Sequence, residues 1–290
     1  MKTLHFGETT VSRCVESEGP SFFPGFIFPD CDPDAFEAER RDWLDPHFVD
    51  ADSGRLLMSL HSYIIKTPQH TILVDTCVGN HKHRPDTKPW HMKDGPFLED
   101  MVAMGVTPES VDFVMCTHLH VDHVGWNTML VDGEWLPTFP NARYLIGETE
   151  WRYWDANEDE SQYGPVLADS VRPVVDAGLV DLVATDHQLC TEVSLQSTPG
   201  HTPGHVSIKI ESAGQSALIT GDCIHHPVQM TRTDWCSSAD YDQSQGRWTR
   251  ENLLAELVDQ DTLVIGTHFA TPTAGHVKAL PDGGYWLKVE

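Results

Sequence analysis

The densest group of chemistry-bearing side chains is the sequence Thr-His-Leu-His-Val-Asp-His at residues 117–123. It directly follows a short apolar stretch that predicts a buried strand. His118 and His120 lie two residues apart, so in extended backbone their side chains point to the same side and can bind one ion. Asp122 and His123 follow a turn and can reach a second ion. Because Zn²⁺ and similar ions prefer neutral imidazole and ionised carboxylate ligands, the motif predicts a metal site.

Three further side chains of the metal-binding types each follow a predicted strand later in the chain. His201 lies in the sequence Thr-Pro-Gly-His-Thr-Pro-Gly-His, which comes after a predicted strand at Thr191–Gln196. Asp222 follows a predicted hairpin, and His268 follows the last predicted strand, Asp261–Gly266. Scattered surface histidines would not share this placement at strand ends, so the pattern indicates a built site.

The elements that must position these side chains are mostly short strands. The predicted strands share apolar character and turn residues at their ends. They lie at Leu56–Thr67, Thr71–Asp75, Val111–Cys116, Ala142–Ile146, Leu179–Val183, Thr191–Gln196, Val206–Ile210, Ser216–Thr220 and Asp261–Gly266. The predicted helices combine apolar stripes with start and stop signals. They lie at Asp34–Trp43, from Pro96 to Gly105, from Glu148 to Trp154 and around Trp248–Val258.

Parts of the sequence keep alternative interpretations. Asp75, at the end of a predicted strand, is either a carboxylate that orients a metal-bound histidine or a cap for a turn. The aromatic, proline-rich stretch Pro20–Pro29 lies in a region predicted to be irregular, residues 14–54. Its apolar side chains pack on the core, on a partner subunit or over an active-site mouth. Three histidines of a basic loop are expected at the surface rather than as ligands: His81, His83 and His91.

The composition of the 290-residue chain is that of an ordinary globular protein, with 40% hydrophobic and 22% charged residues. Its 19 basic and 44 acidic residues give a formal net charge of −25. This charge argues against nucleic acid and anionic membrane surfaces as partners, since phosphate binding needs clustered lysine and arginine. The simplest interpretation of the acidity is that it keeps the protein soluble.

The start of the chain, residues 1–7, has no apolar stretch of the kind that a secretory signal needs. No apolar run reaches the length that crosses a bilayer. The seven cysteines are scattered, odd in number and without a Cys-x-x-Cys pair, which favours reduced thiols over a disulfide framework. We therefore expect a cytoplasmic protein with no membrane partner.

Four separated motifs occur in a defined order: His-x-His-x-Asp-His, Pro-Gly-His-Thr-Pro-Gly-His, Gly-Asp and Gly-Thr-His. In this order they resemble the motifs of the metallo-β-lactamase superfamily, from about Leu56 to His268. The resemblance implies an α+β fold, the αβ/βα sandwich in which two mixed β-sheets pack face to face with helices outside. It also implies one metallo-β-lactamase-like domain over residues 1–290. Residues 1–54 are then an N-terminal extension that covers the pocket or a subunit interface.

The resemblance further implies a site for two divalent metal ions, with seven ligands that are all imidazoles or carboxylates of these motifs. The ligands of the first ion are His118, His120 and His201. Those of the second ion are Asp122, His123 and His268, and the bridging ligand is Asp222. His205, the second histidine of its motif, is expected to support the site. Zinc is the expected metal, although Mn²⁺, Fe²⁺ and Co²⁺ also suit these ligands.

Such a pair of ions implies hydrolysis, because it can hold a bridging hydroxide near neutral pH and polarise the bond that the hydroxide attacks. No Gly-x-Ser-x-Gly nucleophile elbow competes with this chemistry. Within the superfamily, the stretch His118–Asn127 looks most like N-acyl homoserine lactone lactonases and methyl parathion hydrolase relatives. We therefore expect a hydrolase that opens a small-molecule lactone or a related carboxylic ester; a homodimer stays open.

Other functions remain as alternatives to lactone hydrolysis. They are an organophosphate or aryl ester hydrolase, a glyoxalase-II-like thioesterase, and a non-catalytic scaffold or sensor that retains the fold. Two other branches fit less well, since flavodiiron enzymes carry Glu where this chain has His120, and the net charge disfavours tRNA-binding ribonuclease relatives.

The position three residues after the bridging carboxylate separates this chain from the lactonases, which carry Tyr there. Here it is His225. Its imidazole either packs in a loop or donates to the substrate carbonyl and stabilises the developing oxyanion. In the second case we expect it to titrate near neutral pH. We expect Asp122 and His225 to be the catalytic side chains.

Overall fold

The structure is a computed structural model that describes residues 2–157, 163–281 and 283–289. Within these residues the chain forms fifteen strands and seven α-helices. The strands are β1 (Leu4–Phe6), β2 (Thr9–Pro20), β3 (Leu57–Lys66), β4 (Thr71–Val74), β5 (Phe113–Met115), β6 (Thr128–Val131), β7 (Glu134–Pro137), β8 (Arg143–Gly147), β9 (Val180–Val183), β10 (Val193–Ser197), β11 (Val206–Ser212), β12 (Gln215–Ile219), β13 (Leu263–Ile265), β14 (Ala274–Ala279) and β15 (Tyr285–Val289). The helices are α1 (Pro24–Ile27), α2 (Pro33–Glu39), α3 (Phe97–Ala103), α4 (Glu148–Ala156), α5 (Arg172–Asp176), α6 (Val228–Thr231) and α7 (Gln243–Leu257).

The chain divides into two compact units, each with its own hydrophobic core. The first unit comprises Lys2–Glu16 and Leu60–Thr185, and the second contains Ser17–Ser59 and Asp186–Glu290. The prediction of a single domain over the whole chain stays a prediction. None of the helices in the described residues combines the length and the apolar character needed to span a bilayer.

The first unit holds most of a seven-stranded sheet in the order β1-β2-β3-β4-β5-β8-β9. Strands β3 and β4 are antiparallel, whereas β4–β5, β5–β8 and β8–β9 are parallel, so the sheet is mixed. Apolar side chains such as Val114, Tyr144 and Phe97 form its core. Because Val74 pairs with Met115, the loops that follow β4 and β5 leave the sheet at the same edge.

The second unit contains a six-stranded sheet in the order β10 to β15. Only β12 and β13 of this sheet run parallel, and the other pairs are antiparallel. Leu218, Val264 and Phe269 lie in its core. Because Ile219 pairs with Ile265, the loops after β12 and β13 also leave their sheet at one edge. The first unit therefore brings the Asp75 loop beside the loop of the His-x-His-x-Asp-His motif, and the second unit brings the loops of Asp222 and His268 together.

Two mixed sheets combined with helices make an α+β fold, which confirms the predicted fold class. The helix predicted at Asp34–Trp43 is α2 followed by a π-helical turn, and the Asp32 carboxylate caps α2 by accepting from the Ala35 N–H at 2.8 Å. The prediction that residues 14–54 are irregular is wrong at its start, because β2 continues to Pro20 as a strand of the sheet.

The aromatic stretch Pro20–Pro29 divides its side chains between two environments. Ile27 and Phe28 are buried in the core of the second unit. Phe23 and Phe26 are 50% and 69% exposed. Packing on the core therefore accounts for part of the stretch, and the two exposed rings leave the other interpretations open.

Candidate metal centre

In the first unit, Asp75 organises the loop that carries the His-x-His-x-Asp-His motif. The residue lies directly after β4 in a left-handed conformation (φ 54°), and it is buried. Its carboxylate accepts from the Thr117 N–H at 2.8 Å and from the Thr117 hydroxyl at 2.9 Å. It also accepts from Nδ1 of His123 at 2.9 Å. Asp75 thus both fixes the turn and orients a candidate ligand, so the two interpretations of this residue hold together.

The three imidazoles of the motif form one cluster in the first unit. The ring centroid of His118 lies 4.6 Å from that of His120 and 4.0 Å from that of His123. His118 and His123 are buried, and the loop between them is held from helix α4, where the carboxylate of Glu150 accepts from the Leu119 N–H at 3.0 Å. The fourth candidate of this motif, Asp122, has a carboxylate oxygen 3.6 Å from Nε2 of His123. The structure therefore brings together the four candidates of the motif.

In the second unit, Asp222 is the centre of the other cluster. It lies in a single 3₁₀ turn directly after β12. Its carboxylate oxygens lie 3.4 Å from Nε2 of His201, 3.4 Å from Nε2 of His225 and 3.2 Å from Nε2 of His268. Nε2 of His268 also lies within hydrogen-bond distance of the other Asp222 oxygen, at 3.3 Å, and all of these separations are longer than the 2.7–2.9 Å of a short charge-assisted hydrogen bond. The carboxylate and the Nε2 atoms of His201 and His268 make a donor set that suits a borderline metal ion, and His225 lies beside it.

In three of the candidate ligands, His123, His201 and His268, the ring nitrogen Nδ1 is held by a fixed acceptor of the same unit. In the second unit, Nδ1 of His201 donates to Asp240 at 2.8 Å, and Nδ1 of His268 donates to the Ser59 carbonyl at 3.1 Å. Carboxylates and carbonyls only accept, so the proton of each ring lies on Nδ1. Nε2 is then left with the lone pair that a metal ion requires. The clusters therefore present ligands in the binding tautomer.

His205 holds the backbone of Asp222 in place. Its Nε2 accepts from the Asp222 N–H at 2.8 Å, while its Nδ1 lies 3.0 Å from the Thr198 carbonyl. A Cβ atom at Gly221, whose φ is +55°, would lie 2.5 Å from the His205 ring, so this approach needs glycine. His205 is thus engaged with the protein in the supporting position expected from the sequence.

His225 turns back onto Asp222, as its position three residues later suggested. It is buried, and its Nδ1 has no hydrogen-bond partner among the residues that the structure describes. Burial lowers the pKa of His225 to about 3, opposed by the negative charge of Asp222. The expectation that His225 titrates near neutral pH is therefore wrong, because desolvation disfavours its charged form. A neutral imidazole still carries one N–H that can donate.

The sequence analysis did not identify every residue of the site, and some of the histidines that it considered lie outside the site. Asp240 is 39 positions from His201 in a loop without a ligand motif, so no local pattern marked it. Among the described residues, the basic-loop histidines join no group of metal-binding side chains. They are His81, His83 and His91.

The family of the chain follows from a comparison with known sequences. The sequence profile described as the metallo-beta-lactamase superfamily matches residues 58–268, which is most of the chain. The protein therefore belongs to the metallo-β-lactamase superfamily. The match begins in β3 and ends at the candidate ligand after β13, so it includes both clusters described above.

Among curated relatives, an N-acyl homoserine lactonase from Bacillus cereus is 27% identical over 171 residues, which are 55% of this chain and 61% of the relative. The N-acyl homoserine lactonase AttM of Rhizobium radiobacter is 25% identical over 130 residues, 44% of this chain and 46% of the relative. The matches thus span less than two thirds of these relatives. Their names indicate which substrates to test with this protein.

Solved structures with the same fold cover nearly the whole chain. The hydrolase AbOPH of the beta lactamase superfamily superposes with a TM-score of 0.80 at 22% identity, over 99% of this chain and 97% of that one. AidC, described as a dizinc quorum-quenching lactonase, superposes with a TM-score of 0.79 at 20% identity, over 100% and 97%. At these identities the comparison establishes the fold alone.

Proposed function

We propose that the protein is a dinuclear metal-dependent hydrolase that opens a lactone or a related carboxylic ester. The observation that carries the proposal is the convergence of three imidazole Nε2 atoms on the carboxylate of Asp222 at 3.2–3.4 Å. The carboxylate of Asp222 with the Nε2 atoms of His201 and His268 makes a donor set that a divalent ion can bind, and His225 completes the cluster. The lactonases among the relatives direct the choice of substrate.

We further propose that two divalent ions, zinc in the first instance, are held by the seven side chains that the family motifs assign. These are His118, His120, Asp122, His123, His201, Asp222 and His268. Their support is the ligand chemistry of each cluster and the Nδ1 partners that fix the rings. When bound, two such ions supply a Lewis acid and lower the pKa of water so that it can attack a carbonyl near neutral pH.

The protein side chains then have distinct tasks around the reacting carbonyl. The carboxylates of Asp122 and Asp222 offset the positive charge of the ions and set their positions. His225 is proposed to donate an N–H to the carbonyl oxygen as negative charge develops there. Its Nδ1 has no acceptor among the described residues, and its low pKa keeps the ring neutral, so this donation needs no change of charge.

The composition supports a small-molecule substrate. A net charge of −25 disfavours nucleic acid as a partner. The cytoplasmic location expected from the cysteine usage stays a prediction, as does a homodimer.

Hydrolysis assays on metal-loaded protein test the proposed function. Lactones of different acyl length, aryl esters, thioesters and phosphotriesters are offered in parallel. We expect lactone opening that a chelator abolishes and added Zn²⁺ restores. Turnover of phosphotriesters without lactones would favour an organophosphate hydrolase, and turnover of thioesters alone would favour the glyoxalase-II-like alternative. No turnover of any substrate by protein that binds metal would favour a scaffold or sensor.

Replacing His225 by phenylalanine tests its role as a donor. We expect the variant His225→Phe to keep its metal content and to lose about 10²-fold in kcat with little change in KM, because the donor acts on charge that develops in the transition state. The neighbouring His226 donates to the Phe48 carbonyl, and its replacement by glutamine is the matched control. Equal kcat values for His225→Phe and the unmodified protein would reduce His225 to a packing residue.

A further inference from the structure

Asp240 contacts a candidate ligand although no motif marks it. It lies in the second unit, in the loop between α6 and α7, and its side chain is only 2% exposed. Oδ1 of Asp240 lies 2.8 Å from Nδ1 of His201, within hydrogen-bond distance. Burial disfavours the charged form of a carboxylate, so hydrogen bonds or charges within the protein must compensate for it.

The backbone fastens the Asp240 loop to the turn that carries His201. The Tyr241 N–H donates to the His201 carbonyl at 3.0 Å, and the Asp242 N–H donates to the Gly200 carbonyl at 2.9 Å. Gly200, at φ +134°, lies so close to helix α7 that a Cβ atom there would come within 2.3 Å of Gly246. The distance between the Asp240 carboxylate and the His201 ring is therefore built into the fold.

The two oxygens of Asp240 both act as acceptors. Oδ1 accepts from His201, and Oδ2 accepts from the Ser237 N–H at 3.0 Å. The guanidinium of Arg250, which is itself buried, lies 3.9 Å from Oδ2. Burial raises the pKa of Asp240, and the positive charge of Arg250 opposes that rise. With donors on both oxygens and a cation behind it, the carboxylate is placed to accept rather than to donate.

We propose that Asp240 is a positioning residue for His201, which it holds in the tautomer that presents Nε2 to a metal ion. This inference rests on the proposed function, because it takes His201 as a ligand. We expect Asp240 to raise the affinity of the site for a metal ion, because its carboxylate orients the His201 ring and raises the basicity of that ring.

The variant Asp240→Asn tests the proposal with little change of shape. His201 and Ser237 donate to different oxygens of Asp240, and asparagine replaces one of these oxygens by an NH₂ group, so one of the two donors loses its acceptor. Where its NH₂ group faces the ring, Nδ1 must accept, and the proton moves to Nε2. We expect the affinity for Zn²⁺, measured by competition with a chromophoric chelator, to fall by about 10- to 100-fold.

The matched control is Asp242→Asn, which removes a carboxylate from the same loop. Asp242 caps helix α7 by accepting from the Gln245 N–H at 2.9 Å, and asparagine caps helices as well as aspartate does. We expect this variant to bind Zn²⁺ as tightly as the unmodified protein. An equal loss of affinity in both variants would assign the effect to the loop charge and overturn the positioning role.

A spectroscopic measurement on the unmodified protein does not depend on the variants folding. In ¹⁵N-labelled, zinc-loaded protein, we expect the Nδ1 proton of His201 as a downfield resonance protected from exchange with water, and we expect it to be lost in Asp240→Asn. Absence of this resonance in the unmodified protein would overturn the proposal. Neither the affinity nor the resonance requires a substrate, so failure of lactone hydrolysis leaves this test intact. A His201 ring that does not respond to Zn²⁺ would overturn the ligand assignment and this inference together.

Discussion

Replacing Asp222 by alanine is expected to remove bound metal and activity together. The carboxylate lies 3.2–3.4 Å from the Nε2 atoms of two proposed ligands, His201 and His268, and of His225, and it is the negatively charged member of this cluster. Its loss removes a ligand proposed to bridge both ions, and the several kcal/mol that a Lewis acid contributes correspond to about 10³-fold or more in kcat/KM. Elemental analysis and lactone assays on the same preparation check both effects.

The control for this variant is Asp261→Ala, which removes an exposed carboxylate just before β13 in the same unit. It lowers the negative charge by the same amount without touching the cluster, so metal content and rate should be unchanged. Full metal content and a normal rate in Asp222→Ala would show that the bridging role is misassigned.

Removing the metal is expected to lower stability strongly. Each ion present at about 100 times its dissociation constant adds about 2.7 kcal/mol to the free energy of unfolding, and two ions add about twice that. For a chain of this size, such a change corresponds to a fall of about 10 °C or more in Tm after dialysis against a chelator. Differential scanning calorimetry before and after dialysis, and after adding Zn²⁺ back, measures the shift.

The same preparations give the number of ions. Elemental analysis of the gently purified protein should approach two equivalents per chain. The variant His268→Ala loses a ligand assigned to only one ion, so it should approach one equivalent. A value near one that His268→Ala leaves unchanged would contradict the second ion.

The candidate ligands were predictable because each occupies a local pattern at the end of a strand. What the sequence did not reveal is which strand ends meet. The parallel pairing of Ile219 with Ile265 brings Asp222 and His268 to one edge, and such a pairing between distant segments depends on the whole sheet. Asp240 was missed for the same reason, because its partner lies 39 positions away.

Three hairpins were also missed: β1–β2, β6–β7 and β14–β15. The turn Asp132–Gly133 between β6 and β7 has positive φ at both residues, 51° and 88°, as a type I′ turn requires. The Asp-Gly dipeptide is typical of such a hairpin turn, but the stretch that contains it was interpreted as a connection. Strands β14 and β15 fall outside every predicted element, since their residues are only partly apolar. Pairing between the two strands stabilises them, although the strand propensity of their residues alone is weak.

The hydrogen bonds on the Nδ1 atoms have a consequence for how the protein acquires its metal. His123, His201 and His268 are each oriented by a protein acceptor, so the rings need little rearrangement when an ion arrives. Such preorganisation favours binding in general, and imidazole and carboxylate donors discriminate weakly among divalent first-row ions. Which ion is bound therefore depends on the ions that are available while the protein is synthesised. We expect the metal recovered with the protein to reflect the growth medium, so that cells fed with different metal salts yield differently loaded protein from one sequence.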